Sequence, residues 1–197
     1  MATASRARLS VSDRREQLLT VGTEVFARRP YDDVWISAVA REAGVSRALL
    51  YHYFPGKREF FAAIIGRETE RIARLTEPDP ALPPLDRLRA AIDAYLDYAV
   101  AHDAGYRAMH RGTASVDSTV RGLIDTNLEL QTERIMGAIR GVEASPGTLR
   151  LAVRSWLSFL ITACLEWLEQ PACSRQELRE LCVNTLVAAI AAAASPR

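Results

Sequence analysis

The chain has 197 residues, 49% of them apolar and 25% charged, with 25 basic side chains against 24 acidic ones and a formal net charge of +1. This length supports a sizeable core, and the composition excludes a highly charged disordered chain or a polycationic tail. Cys164, Cys173 and Cys182 form no C-x-x-C pair, which argues against a disulfide framework and for a reduced, cytoplasmic protein. Met1–Ser12 holds Arg6 and Arg8 without an apolar run and reads as a flexible basic arm. Ser155–Leu165, a charge-free apolar stretch, is short of a membrane span, so no membrane partner is expected.

Helical periodicity runs along the chain and β-type alternation does not, so the expected fold class is all-α, with about nine helices. Asp13 and Glu16 read as a capping pair for a first helix whose stripe is Leu18, Val21, Gly22, Val25 and Phe26, ending near Arg29-Pro30. A short helix follows over 36–43, Gly44 breaks it, Ser46 caps a third, and Pro55 ends that one. A longer helix is expected over 57–76, followed by the proline-rich stretch 77–85. The remaining helices fall at 86–101, 105–113, 117–140, 146–169 and 174–193. Gly105 is expected to break the chain between His102 and His110, Ser145-Pro146 to start one helix, and Ser174 with Glu177 to cap the last. The predicted organisation is an arm (1–12), a three-helix helix-turn-helix unit (13–56), a connecting helix (57–76) and a C-terminal helical domain (77–197).

Residues 1–60 carry ten basic against seven acidic side chains, residues 61–197 fifteen against seventeen, so the N-terminal third is the anion-facing part. In the helix that Ser46 caps, Leu50 and Phe54 share the inner face, leaving Arg47, Ala48 and Leu49 on the outward first turn. A helix presented in this way places its first residues against base edges in the major groove. Arg47 can donate two hydrogen bonds to guanine, and Ala48 and Leu49 can meet thymine methyl groups. Tyr51, His52, Tyr53 and Lys57, the only lysine in the chain, fall where phosphates flank the groove.

The segment "VAREAGVSRALLYHYFPGKREFF" resembles the DNA-binding segment of TetR-family transcriptional regulators. Val39-Ala40, Ala43-Gly44-Val45-Ser46, Leu50-Tyr51, Phe54 and Lys57 match that family's pattern, and the match covers about residues 12–65. The resemblance implies base reading by Arg47, Ala48 and Leu49 and phosphate contacts from Tyr51, Tyr53 and Lys57. One position departs: where the family usually places a capping threonine that touches phosphate, this chain has Trp35, and Ser37 is the replacement contact. The implied function is sequence-specific DNA binding to a palindromic operator by a homodimeric repressor, released by a small apolar or aromatic effector. The alternative is a small-molecule-binding protein or enzyme with an idle helix-turn-helix.

For such an effector the C-terminal part offers Asn127 and Gln131, polar residues that interrupt the stripe Val120, Ile124, Ile135 and Ala138. Tyr95, Tyr106, Met109, His110, Trp156 and Phe159 are candidate cavity walls. The last two helices carry the cleanest stripes, and a dimer interface is expected at Leu149, Val153, Trp156, Leu160, Trp167, Leu178, Leu181, Thr185 and Ile190. No cofactor or metal is expected, since His102 and His110 have no ligand-spaced partner, and no G-x-S-x-G nucleophile signature occurs.

Overall fold

The computed structural model describes residues 9–111 and 118–194. Among them are nine α-helices and no strand: α1 (Val11–Arg28), α2 (Ile36–Glu42), α3 (Arg47–Tyr53), α4 (Lys57–Leu75), α5 (Pro84–Ala101), α6 (Asp103–Arg111), α7 (Ser118–Ala138), α8 (Pro146–Glu169) and α9 (Arg175–Ala194). The all-α class is as the periodicity requires. Most of the basic arm, with Arg6 and Arg8, and the turn expected near residues 113–117 lie outside the described residues.

Three local features differ from the sequence reading. Ser10, not Asp13, caps α1: its Oγ accepts from the Asp13 N–H at 3.0 Å, so the helix opens inside the expected arm. Asp13 answers by accepting from the Ser10 hydroxyl at 2.7 Å. Helix α5 begins at Pro84, whose missing N–H costs nothing at a first helical position. Gly105 breaks nothing; it lies inside α6, and the chain bends at His102, which ends α5. A Cβ at residue 105 would stand 2.9 Å from Thr23 Cγ2, so the glycine is there to let α6 approach α1. At the other end, Ser174 and Glu177 form the reciprocal box, with N–H to side-chain distances of 2.8 and 3.2 Å.

Helices α1 to α4 enclose an aromatic centre in which Phe26 meets Phe61 and Phe54 meets Phe60, each at 4.7 Å between centroids. Gly22 sets the α1–α4 distance, because a Cβ there would lie 2.3 Å from Phe60 Cζ. The first half of α4 buries Phe60, Phe61, Ile64 and Ile65 against this centre. Its second half buries Glu68, Thr69, Ile72 and Ala73 among the C-terminal helices, where it packs on α5, α6 and α7. One helix is therefore part of both cores.

Helices α8 and α9 pack against each other, tied by Trp156 Nε1 donating to the Cys182 carbonyl at 2.8 Å. This seam uses the stripe assigned to a dimer interface: Leu149, Val153, Trp156, Leu160 and Leu178 are buried inside the protomer. Trp167, Thr185 and Ile190 are half-buried and only Leu181 is exposed. The cleanest periodicity marks the deepest burial, and within one chain that is the intramolecular face. The outward face carries Leu151 (69% exposed), Ser155, Ser158 and Thr162 on α8, with Leu181, Asn184, Val187, Ala188 and Ala191 on α9. By length and composition α8 is apolar enough to cross a membrane, but its apolar stripe is spent on this packing and Arg150, Arg154 and Glu166 lie on its other faces.

Candidate functional site

The helix-turn-helix is built from short-range chemistry. Gly44 takes φ +64°, a conformation that costs other residues a Cβ clash, and turns the chain between α2 and α3. Ser46 then accepts from the Leu49 N–H at 3.1 Å and starts α3. Leu50 and Phe54 are buried, fixing the roll of the helix, and Arg47, Ala48, Tyr51 and His52 are exposed. Their spacing (i, i+1, i+4, i+5) puts them on one face, so α3 offers a guanidinium, a methyl group, a phenol and an imidazole together. Leu49 and Tyr53 are half-buried at its edges, Tyr53 lying edge-on to His52 at 5.5 Å. Ser37 is exposed in the first turn of α2.

Two further residues belong to the same region. Trp35 occupies the N-cap position of α2, makes no side-chain cap bond and is 72% exposed, a bare indole where a capping hydroxyl would otherwise sit. Lys57 is half-buried; its ammonium donates to the Asp32 carbonyl at 3.1 Å and lies 4.4 Å from the Tyr31 ring centroid. It ties the start of α4 to the turn after α1, and an ammonium with three donors keeps further hydrogen bonds for a phosphate. Sequence distance hid this contact, which spans 25 positions.

The second element is a cavity of about 520 Å³ among α4 to α9. Tyr95, Met109, His110, Asn127, Gln131 and Trp156 line it, whereas Tyr106 and Phe159 do not. Tyr106 lies behind the wall, fully buried and hydrogen-bonded to Tyr95. Asn127 Nδ2 donates to the Thr69 carbonyl at 3.0 Å and Gln131 Nε2 approaches Thr76 Oγ1 at 3.4 Å, so both amides also hold α7 to α4. Burial pushes the His110 imidazole down to about 4, and burial with Cys164 nearby pushes the Tyr95 phenol up. Both walls are thus neutral near pH 7. Sequence reasoning missed Thr69 and Ile72 of α4, Thr76 just after it, Arg87 of α5 and Arg134 of α7. The spacing of Asn127, Gln131 and Arg134 along one helical face was an available signal. Among the described residues no group of three or more His, Cys, Asp or Glu could hold a metal ion.

Between the two elements lies a polar junction. Glu68, 1% exposed, pairs with Arg67 at 2.7 Å and accepts from the Tyr98 hydroxyl. Arg67 continues to Glu16 at 2.7 Å and to Thr23 Oγ1 at 2.8 Å, both on α1. Tyr98 stacks on His102 at the α5–α6 bend, with centroids 4.6 Å apart. An unbroken set of polar contacts thus runs from the first helix of the reader to the bend beside the cavity helices.

A short helix with an exposed basic and aromatic face, carried on a helical body with a cavity, is the arrangement of a DNA-binding transcriptional regulator. Residues 18–64 match the family model described as bacterial regulatory proteins, tetR family, and residues 84–189 match the tetracyclin repressor-like C-terminal domain. A tetR-family transcriptional regulator from Streptomyces coelicolor is 33% identical and superposes with a TM-score of 0.81, covering 94% of this chain and 84% of that one. The transcriptional activator FasR of Mycolicibacterium smegmatis is 31% identical over 147 residues, 70% of this chain and 65% of its own length. The transcriptional repressor KstR of Rhodococcus jostii is 26% identical over 76% of this chain and 72% of its own. The chain belongs to the TetR family.

Proposed function

We propose that the chain is a cytoplasmic, homodimeric repressor, not an enzyme, that binds a palindromic operator and leaves it when a small apolar effector fills the cavity. The observation that carries this reading is the double role of α4, whose first half packs on α1 and, through Phe60 on Phe54, against the end of α3, and whose second half walls the cavity. Arg47, Ala48 and Leu49 read bases, while Ser37, Tyr51, His52, Tyr53 and Lys57 meet phosphates. Two copies join through the outward face of α8 and α9, around Leu151, Leu181 and Val187, and set the two α3 helices roughly 34–36 Å apart. Both half-sites are then bound only at one spacing, so an effector that displaces α4 releases both. A preference of a few kcal/mol for the released state is enough for the switch.

Light scattering with operator titration tests the assembly. The wild type runs at twice the 21.8 kDa chain mass, and Leu151→Glu with Leu181→Glu gives a folded monomer with greatly weakened DNA binding. A wild-type monomer that binds the operator at full strength contradicts the reading.

A further inference from the structure

We infer that the effector is an aliphatic molecule with an anionic head, and that Arg134 is its main counter-charge with Arg87 as a second donor; this rests on the cavity being the effector site. The walls are mostly branched aliphatic, among them Ile72, Ile92, Ile124, Leu128, Leu160 and Ile190. Polarity gathers where the last turn of α4 meets the loop before α5. There Arg134 donates to the Ala73 carbonyl at 2.8 Å, Gln131 faces Thr76, and Arg87 donates to the Pro80 and Leu82 carbonyls. Such a wall suits a chain-like molecule lying along the aliphatic side with its head at this end.

The two arginines differ from several others on the C-terminal helices. Arg150, Arg154, Arg175 and Arg179 each reach carboxylates. Arg87 and Arg134 form no ion pair among the described residues, and no Asp or Glu is among the residues lining the cavity. A guanidinium has five donors, and a single carbonyl leaves most of those of Arg134 for another acceptor. A cation beside an apolar wall is costly unless compensated. The carbonyl end of α4 compensates it in part, and a bound anion completes the pairing with a geometry suited to a planar fork. His110, held neutral by burial, adds no competing charge.

Isothermal titration of the full-length chain near neutral pH with dodecanoate, dodecyl phosphate and 1-dodecanol separates head from tail. The wild type should bind the better anion roughly tenfold more tightly than the alcohol, and the tighter head identifies carboxylate or phosphate as the source. Arg134→Gln should abolish that preference while leaving the alcohol unchanged, Arg87→Gln should reduce it, and Arg134→Lys should keep most of it. Equal binding of anions and alcohol by the wild type, a comparison that needs no variant, overturns the inference and leaves the cavity as an effector site. Equal weakening of all three probes by Arg134→Gln also overturns it, and shows that the side chain only joins α7 to α4. If none of the probes binds, the effector reading of the cavity falls together with the inference.

Discussion

The reader and the cavity are built in opposite ways. The reader is local: Gly44, Ser46, Leu50 and Phe54 turn, cap and anchor one short helix, and its working face is four exposed side chains within six residues. The cavity is assembled from six helices, and its polar groups already have protein partners. A groove of DNA is a fixed external surface, so its reader has to be presented outward on a rigid support. A small apolar molecule has to be enclosed, so its site is made from side chains that also stabilise the fold. Loss of a reader side chain should therefore change recognition and spare stability, and loss of an interior polar group should do the reverse.

The largest expected effect lies in the junction between the two. Glu68→Ala takes a buried carboxylate from both the Tyr98 hydroxyl and Arg67, which keeps Glu16, and should cost about 3 kcal/mol of stability in urea unfolding. Any protein that still folds should keep its operator preference, because α3 is untouched. A loss of sequence preference at unchanged stability would put Glu68 in the reader instead.

Next comes acid sensitivity. The folded His110 value of about 4 lies below the ordinary 6.5, so between these limits the unfolded chain binds the extra proton. Stability from the neutral imidazole is complete above about pH 6.5 and is lost as pH falls towards 4. The loss reaches at most about 3 kcal/mol. His110→Phe should flatten that part of the stability–pH curve. An identical curve in the variant assigns the acid loss to other groups.

Smaller effects come from the reader. Arg47→Ala should cost about 1–3 kcal/mol on the operator and relax one base position, with unfolding unchanged. Equal loss on operator and random DNA would move Arg47 to a phosphate. Lys57→Ala should weaken operator and random DNA alike and lower the salt slope by about 1. It should also cost up to about 1 kcal/mol of stability, from the lost stacking of the ammonium on Tyr31.

What could be read from the sequence follows the same division. A turn glycine, a capping serine and an i, i+4 pair of anchors act within ten residues, so α3 and its outward face were legible. Asn127, Gln131 and Tyr95 were found as cavity walls because polar breaks and aromatics mark a stripe. Thr69 and Thr76 were not, because a helix pattern shows which face is buried but not against what. The α8–α9 stripe shows the limit most clearly: strong periodicity identified an inward face, whereas on the outward face Leu151, Leu181 and Val187 stand among small and polar residues and form no such stripe. Gly105 misled for a related reason, since only α1 lying against it distinguishes a close approach from a helix break.

The most direct test of the central claim is selection of bound sequences from a random double-stranded DNA pool by the purified full-length protein. Enrichment of one palindrome, with half-sites about one helical turn apart and a guanine position that Arg47→Ala relaxes, is the predicted result. A pool that remains random in sequence at every salt concentration, or an enriched site without two-fold symmetry, would contradict it.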